Sequence, residues 1–498
     1  MNYCPIRAIF FLMVILKRVI DMSVIVDKSS MHSLLKHQQE SFKQAGYPDL
    51  EIRIDRLDRL LAMIKKYDRQ ICNTVSEDFG NRSYELSRMT EIFATVEHAK
   101  DAIVRLAQWM KPEQRKAISP AAEAGATAEV RYMPKGVVGI IGPWNFPVHL
   151  VIGPLVSVLA AGNRAMIKPS SVTPKTAELI GEMVAEFFDP TEVTVILGNN
   201  ISEQFTKLPF NHIVFTGSTD NGRHVMRAAS DNLAPVTLEL GGKSPVIIDT
   251  DADLQVVAAR LMTGKLFNTG QVCVCPDYVF VPEEMLSAFI EELEKATKIL
   301  YPTIENNPDY TSIVNQNHFR RIQSLIDDAE DQGVEVITLN PANEIYDESV
   351  NRKVLPRLLV NPSENAAVMK DEIFGPLLPI KTYRQIDEVV EYLNGQDNPL
   401  ALYYFGEDDA NKARLRDDVL SGGMTINDVV VQVICDQLPF GGVGASGMGH
   451  YHGIDGFREF SHLKAVYSQS PVEEIAGFMR PPYTDAMRAM LEQKVTEA

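Results

Sequence analysis

At 498 residues the chain exceeds what one hydrophobic core ordinarily serves, so two or more domains are expected. Its 45% hydrophobic and 23% charged residues are those of an ordinary soluble globular protein. The net charge of -18 argues against nucleic acid as a partner, because phosphate binding needs a basic surface.

The N-terminus carries the only targeting-like feature. Residues 9–16 are apolar and flanked by Arg7 and by Lys17-Arg18. A bilayer span takes about 20 apolar residues, so this run is too short to cross one, and no membrane contact is expected. Val19-Ile20-Asp21-Met22 supplies no small-residue cleavage site. Met22 is a plausible initiator, and residues 1–21 are expected to be a dispensable extension.

Ile54, Leu57, Leu61, Ile64 and Ile71 recur at helical spacing with charges between them, which predicts an amphipathic helix. More helix follows through Trp109 and ends before Lys111-Pro112. Residues 128–132 alternate as a strand. From Gly136 onward apolar strands alternate with helical stretches, the pattern of a parallel α/β sheet. Strands are predicted at 137–141, 164–168, 193–197 and 212–216, with a helix from Thr173. The fourth strand opens at Gly217 into a helix that begins near Asp220. A second α/β unit starts around Glu239, with a strand at 246–248 and a helix capped by Asp253. The tail after Pro471 is poorly periodic.

Three segments carry chemistry. Phe267-Asn268-Thr269-Gly270-Gln271-Val272-Cys273 puts a thiol just past a helix, in a turn where it can face a cleft. Leu238-Glu239-Leu240-Gly241-Gly242-Lys243 puts a carboxylate on a strand that stops at two glycines, where backbone can approach closely. In that strand the alternation sends Thr237 and Glu239 to one face. Thiol nucleophile and separate carboxylate base are what covalent acyl chemistry requires. Pro143-Trp144-Asn145-Phe146-Pro147 adds an amide able to stabilise an oxyanion. Taken singly, Cys273 reads equally as a packed thiol, Glu239 as a solvated strand residue and Asn145 as a turn residue. The chain's five cysteines, Cys4, Cys72, Cys273, Cys275 and Cys435, are too sparse for a secreted disulfide framework, so a reducing cytoplasm is expected. Nothing near Cys273 and Cys275 completes a metal cluster, and no metal is expected.

In this order the segments resemble the aldehyde dehydrogenase superfamily, over about residues 50–464. Ile167-Lys168-Pro169-Ser170, Phe215-Thr216-Gly217-Ser218-Thr219 and Glu372-Ile373-Phe374-Gly375-Pro376 are similar to its cofactor segments. Pro439-Phe440-Gly441-Gly442-Val443-Gly444, the run on through Ser446-Gly447-Met448-Gly449 to Tyr451-His452-Gly453, and Phe460-Ser461-His462 resemble its class-three branch. Asp78-Phe79-Gly80-Asn81-Arg82-Ser83 and Asn307-Pro308-Asp309-Tyr310-Thr311 are similar to the coniferyl aldehyde dehydrogenases.

The resemblance implies an α/β aldehyde dehydrogenase fold: a Rossmann-like cofactor domain (22–120 and 136–238), an α/β catalytic domain (239–436), and an oligomerisation arm with tail (121–135 and 437–498). It implies NAD(P)-dependent oxidation of an aldehyde, aromatic such as coniferyl aldehyde or a medium- or long-chain aliphatic one, by a homodimer. Cys273 then forms a thiohemiacetal and thioester, Glu239 activates water, and Asn145 with the Cys273 N–H holds the oxyanion. The cofactor falls to Trp144, Lys168, Ser171, Gly217, Ser218, Glu372 and Phe374. Many family members carry a carboxylate where this chain has Ser171, so comparable use of NAD and NADP is expected. A redox-inert protein on the same fold is the reading outside enzymes.

Overall fold

The computed structural model describes residues 28–198, 200–477 and 480–497, so Cys4, Met22 and the extension at 1–21 lie outside the described residues. The helix Leu50–Phe79 starts where the Asp49 side chain accepts from the Ile52 N–H and ends at Gly80, whose φ of 83° favours glycine. It buries Leu57, Leu61, Ile64 and Ile71, the stripe read from spacing. The next long helix, Ala94–Trp109, ends where predicted.

The strands follow in chain order. Glu113–Arg115 (β1) and Thr127–Pro134 (β2) come first. Val137–Ile141 (β3), Arg164–Lys168 (β4), Val193–Val195 (β5), His212–Gly217 (β6) and Val236–Leu240 (β7) form the first α/β series. Ser244–Ile248 (β8), Pro276–Pro282 (β9), Glu335–Thr338 (β10), Arg357–Val360 (β11), Leu377–Tyr383 (β12), Ala401–Phe405 (β13) and Gly423–Ile426 (β14) form the second. Gly447–Met448 (β15) and Ser461–Ser468 (β16) close the series.

The first sheet has six strands in the order β15-β7-β6-β3-β4-β5. All but the antiparallel edge strand β15 run parallel. The chain winds outward from β3 to β5 and then returns to the other side of β3 at β6. The switch point therefore lies between β3 and β6, and the crevice beyond their carboxyl ends is where such sheets take ligands. The second sheet has seven strands, β10-β11-β12-β9-β8-β13-β14, parallel except for β10. A three-stranded antiparallel arm, β1-β2-β16, stands apart from both. One apolar cluster runs through Ile140 of the first sheet and Val246 and Val279 of the second, joining them.

Four features differ from the sequence reading. The strand expected at 193–197 ends at Val195, because its neighbour β4 ends at Lys168 and only the Ile196 N–H still reaches Ile167 O (2.7 Å). β7 runs through the boundary expected after residue 238 and carries Glu239 in the first sheet. Within 437–498, β16 joins the arm and Ser470 Oγ donates to Ala124 O (2.8 Å), but β15 pairs with β7, and the Tyr451 carbonyl before the helix Gly453–Glu459 accepts from Ser157 Oγ at 2.6 Å. The tail holds the helix Asp485–Thr496, which buries nothing although Met487, Met490, Leu491 and Val495 stand at helical spacing. The helix Lys28–Ala45, ahead of the segment that carried the resemblance, also docks on the first sheet: Met31 and Leu35 are buried there, and Gln38 Nε2 donates to Ala165 O (3.1 Å).

Candidate active site

Asp253 caps the helix Leu254–Leu266 by accepting from the Gln255 and Val256 N–H groups. Beyond it the backbone turns left-handed three times running, at Asn268 (φ 49°), Thr269 (55°) and Gly270 (76°). A non-glycine residue in that region costs about 1–3 kcal/mol and persists only where neighbours over-determine it. Here they do. Asn268 Nδ2 donates to the Asn145 and Gln271 carbonyls (3.3 and 3.2 Å), and Thr269 Oγ1 to Thr311 O (2.6 Å). The Gln271 amide donates to Asn268 O and Ser312 O and accepts from the Val314 N–H. A Cβ on Gly270 would collide with Gly375 O, so only glycine lets the turn lie against the Glu372–Gly375 loop.

This frame presents Cys273 half-buried while Cys275 is buried. The Cys275 thiol points at Pro276 O (3.4 Å) and Lys265 O (3.8 Å), and burial pushes its pKa up to about 11. It is a packed thiol. Burial raises the Cys273 thiol further, and the Glu372 and Glu239 carboxylates beside it push in the same direction. Glu239 is buried with neither carboxylate oxygen hydrogen-bonded, and desolvation alone lifts it well above the usual carboxylate range. Thr237, expected on the same face, is engaged elsewhere, with Glu459 (2.8 Å) and His212 (2.7 Å). Desolvation is the largest cause for thiol and carboxylate alike, so hydration of the cleft sets their charge.

Asn145 follows β3, at the switch point, and is buried. Its Nδ2 donates to Gln271 O (3.2 Å), which ties the amide to the nucleophile turn and leaves its second N–H for another acceptor. The two segments singled out at 78–83 and 307–311 touch one another. Asn81 Nδ2 donates to Tyr310 O (2.8 Å), Ser83 Oγ to Asp309 (3.0 Å), and the Ser312 N–H to Asn81 O (2.9 Å). Together they back the turn through Thr311 and Ser312.

Glu372 rests on the glycines after β7. A Cβ on Gly241 would strike its carboxylate, and the Gly242 N–H bonds to it. Burial and the Asp277 carboxylate push Glu372 up to about 8, against the pull of that N–H, Lys243 and Arg321. The loop is held by Asp277, which accepts from the Ile373 N–H (2.9 Å) and pairs with Lys243, and by Arg321, which donates to Ile373 O. Phe374, at φ 48°, sets its ring 5.2 Å from Trp144. Lys168 ends β4 and bonds its own neighbour's carbonyl, Pro169 O (3.1 Å); Ser171 is exposed. Gly217 pairs with Leu240 across the sheet, so the turn into the helix Thr219–Ser230 lies beside the Glu239–Gly242 segment. Ser218 is exposed at that helix start and makes no capping bond, which leaves the first N–H groups for an anion.

Cys273, Glu239, Asn145, Trp144, Glu372 and Phe374 are thus brought to one cleft, and Lys168, Ser171, Gly217 and Ser218 line the adjoining sheet edge. A dinucleotide fits this donor set. The buried Glu372 Oε1 lacks a partner, Gly241 leaves room above it, and the bare helix start suits a pyrophosphate. The sequence reading quoted Tyr451 as part of a motif without assigning it a role. Its hydroxyl is buried without a partner, with Glu239 and Cys273 as its titratable neighbours. Among the described residues no group of three His, Cys, Asp or Glu could hold a metal.

Thiol-dependent oxidation on a doubly wound sheet is the chemistry this cleft can host. Known proteins place the chain in the same class. The aldehyde dehydrogenase family profile matches residues 18–466. Coniferyl aldehyde dehydrogenase of Pseudomonas sp. (strain HR199 / DSM 7063) is 48% identical over 94% of this chain and 96% of that protein. The dimeric NADP-preferring aldehyde dehydrogenase of Rattus norvegicus is 35% identical over 92% and 99%. Substrate-bound Staphylococcus aureus AldH superposes with a TM-score of 0.87 at 35% identity, over 93% of this chain and 99% of that one. The chain belongs to the aldehyde dehydrogenase family, and its activity is the oxidation of aldehydes.

Proposed function

We propose that this enzyme oxidises an aromatic aldehyde, coniferyl aldehyde foremost, to the carboxylic acid with NAD or NADP, through covalent attachment to Cys273. The observation that carries the reading is the Asn145–Gln271 hydrogen bond, which fixes an amide donor against the turn that presents Cys273, in a cleft with an unpartnered Glu239.

Cys273 Sγ attacks the aldehyde carbon, and its proton leaves to solvent, directly or through Glu239, so that Glu239 is free to act as a base in deacylation. The free Asn145 N–H and the Cys273 backbone N–H hold the resulting oxyanion, a donor worth about 2.7–4 kcal/mol of barrier. When bound, the nicotinamide supplies the acceptor for the hydride that leaves the former carbonyl carbon. Glu239 then takes a proton from the water that attacks the thioester, and Cys273 leaves as the thiolate. Glu372, Phe374 and Trp144 would hold the nicotinamide end of the cofactor, and Lys168, Ser171, Gly217 and Ser218 would hold the adenosine and pyrophosphate end.

The sheets support a division into a cofactor body, a catalytic body beginning just after β7, and an arm. Exposed residues of the edge strand β16 suit the arm to a second copy, so a homodimer is the assembly expected. No described helix is long and apolar enough to cross a membrane, and the sparse free cysteines fit a cytoplasmic protein. The aromatic substrate is supported by the name of the 48% identical relative.

Cofactor reduction with coniferyl aldehyde, benzaldehyde and decanal tests the proposal. The highest kcat/KM is expected for coniferyl aldehyde, with none of the three turned over by Cys273→Ser. A clear preference for decanal would replace the aromatic reading with the aliphatic one.

A further inference from the structure

Arg82 lies in the 78–83 segment, which the proposed chemistry leaves without a role. Its side chain is fully buried, and its nearest charge is Glu91, equally buried, at 3.1 Å. That approach is a charge contact rather than an aligned hydrogen bond, since Glu91 Oε1 has no hydrogen-bond partner. Arg82 Nη1 donates to the Asn145 carbonyl (2.8 Å) and Nη2 to Thr90 Oγ1 (2.9 Å). The guanidinium also lies over the Phe146 ring, 4.9 Å from its centroid, and the Phe79 ring, 5.2 Å away. Glu91 holds the other end of the same loop: its Oε2 accepts from the Val148 and His149 N–H groups at 3.0 and 2.8 Å. It does so from a π-helical stretch, Arg88–Phe93, a local widening often found at functional sites.

We infer that Arg82 and Glu91 are positioning residues for the oxyanion donor. They grip residues 145–149 from both sides, so that the Asn145 amide cannot leave the nucleophile turn as charge develops on substrate. A buried ion pair is weak support for stability, because well-packed apolar residues of the same volume often do as well. What apolar residues cannot supply is the forked donation that fixes a carbonyl and a hydroxyl at once while the charge faces a carboxylate. Asn268 donates to the same Asn145 carbonyl from the nucleophile side, so Arg82 is the second of two donors that meet at that atom. The inference rests on the acyl-transfer reading of Asn145 given above.

A double-variant cycle with Arg82→Lys and Asn145→Ala separates positioning from bulk stability. Lysine keeps the charge and loses the fork. Arg82→Lys should lower kcat by about 10- to 100-fold, the cost of a misplaced group, while KM for aldehyde and cofactor changes less than about twofold. In the Asn145→Ala background the same change should leave kcat within about twofold of Asn145→Ala alone, because the group being positioned is already gone. Glu91→Gln keeps one acceptor for Val148 and His149 but withdraws the charge that faces Arg82; if Arg82→Lys does not fold, the same loss of kcat, absent in the Asn145→Ala background, is expected of Glu91→Gln. Equal losses in both backgrounds, or parent-like kcat in Arg82→Lys, would overturn the clamp alone. Parent-like kcat in Asn145→Ala would remove the oxyanion reading and the clamp with it.

Discussion

The turn that presents Cys273 leads into β9 and packs on Asn145 beyond β3, while the turn that follows β6 opens a helix, and the two are built in opposite ways. Around Cys273 the strained Asn268 and Thr269 are fixed by buried amides and carbonyls from residues far apart in the chain. At Gly217-Ser218 the backbone is simply the start of a helix, Ser218 is exposed, and Ser171 across the way is exposed too. One wall is preorganised at the cost of backbone strain, and the other is an open ledge. Reaction chemistry should therefore respond to single atoms, and cofactor choice only modestly.

The sharpest way to break this comparison is at the thiol. Cys273→Ser should lower kcat by at least about 10³-fold, since the hydroxyl is a poorer nucleophile in the same desolvated place. Cys275→Ser should keep most activity, because that thiol only packs against Lys265 and Pro276 carbonyls. The reverse pattern would move the nucleophile to Cys275.

Glu239→Gln comes next. An amide cannot accept the water's proton, so steady-state turnover should fall by about 10²–10⁴-fold. A rapid burst of reduced cofactor should precede the slow phase. Parent-like steady-state turnover would remove Glu239 from hydrolysis.

Glu372 joins the two walls, and its effect is read in stability. Burial raises it to about 8, so between its ordinary value of 4.5 and about 8 the folded protein holds a proton that the unfolded chain has released. Stability from this group is complete below about 4.5 and is lost as pH rises towards about 8. Gln has no such loss. The Tm of Glu372→Gln minus that of the parent should therefore increase from pH 5 to pH 8, measured without cofactor. A difference independent of pH would show that Glu372 is ionised in the folded cleft.

The smallest effect belongs to the ledge. A carboxylate placed by Ser171→Glu should repel a 2′-phosphate by roughly 1 kcal/mol in water at about 4 Å, or about fivefold in kcat/KM with NADP. NAD should lose nothing. The parent enzyme itself should show less than about tenfold preference between the two cofactors, or about 1.4 kcal/mol. A preference for NAD beyond roughly a hundredfold would mean that other residues close the 2′-phosphate site.

The same contrast explains what could be read from residues alone. Strands at 137–141 and 164–168 were legible because both faces are buried, the first run being apolar throughout and the second apolar between Arg164 and Lys168. Cys273, Glu239 and Asn145 stood out because each sits in a turn or strand end of unusual composition. Glu91 did not: it reads as a surface helix charge, and only the fold brings it to the helix His149–Ala160. Tyr451 reads as core for the same reason, since its neighbours Glu239 and Cys273 come from distant strands and turns. The helix Asp485–Thr496 went unread although Met487, Met490, Leu491 and Val495 stand at helical spacing, and the structure buries none of them. Local pattern reports which residues are buried; what they meet there depends on the long-range winding of the sheets.

The central claim is that substrate becomes covalently attached to Cys273. The most direct test is peptide mass spectrometry of Glu239→Gln, quenched after the burst with coniferyl aldehyde and cofactor. The account predicts an acyl adduct on the peptide containing Cys273, assigned by fragmentation to that residue and discharged by hydroxylamine. No adduct after a full burst, or an adduct on Cys275 or Cys435, would contradict it.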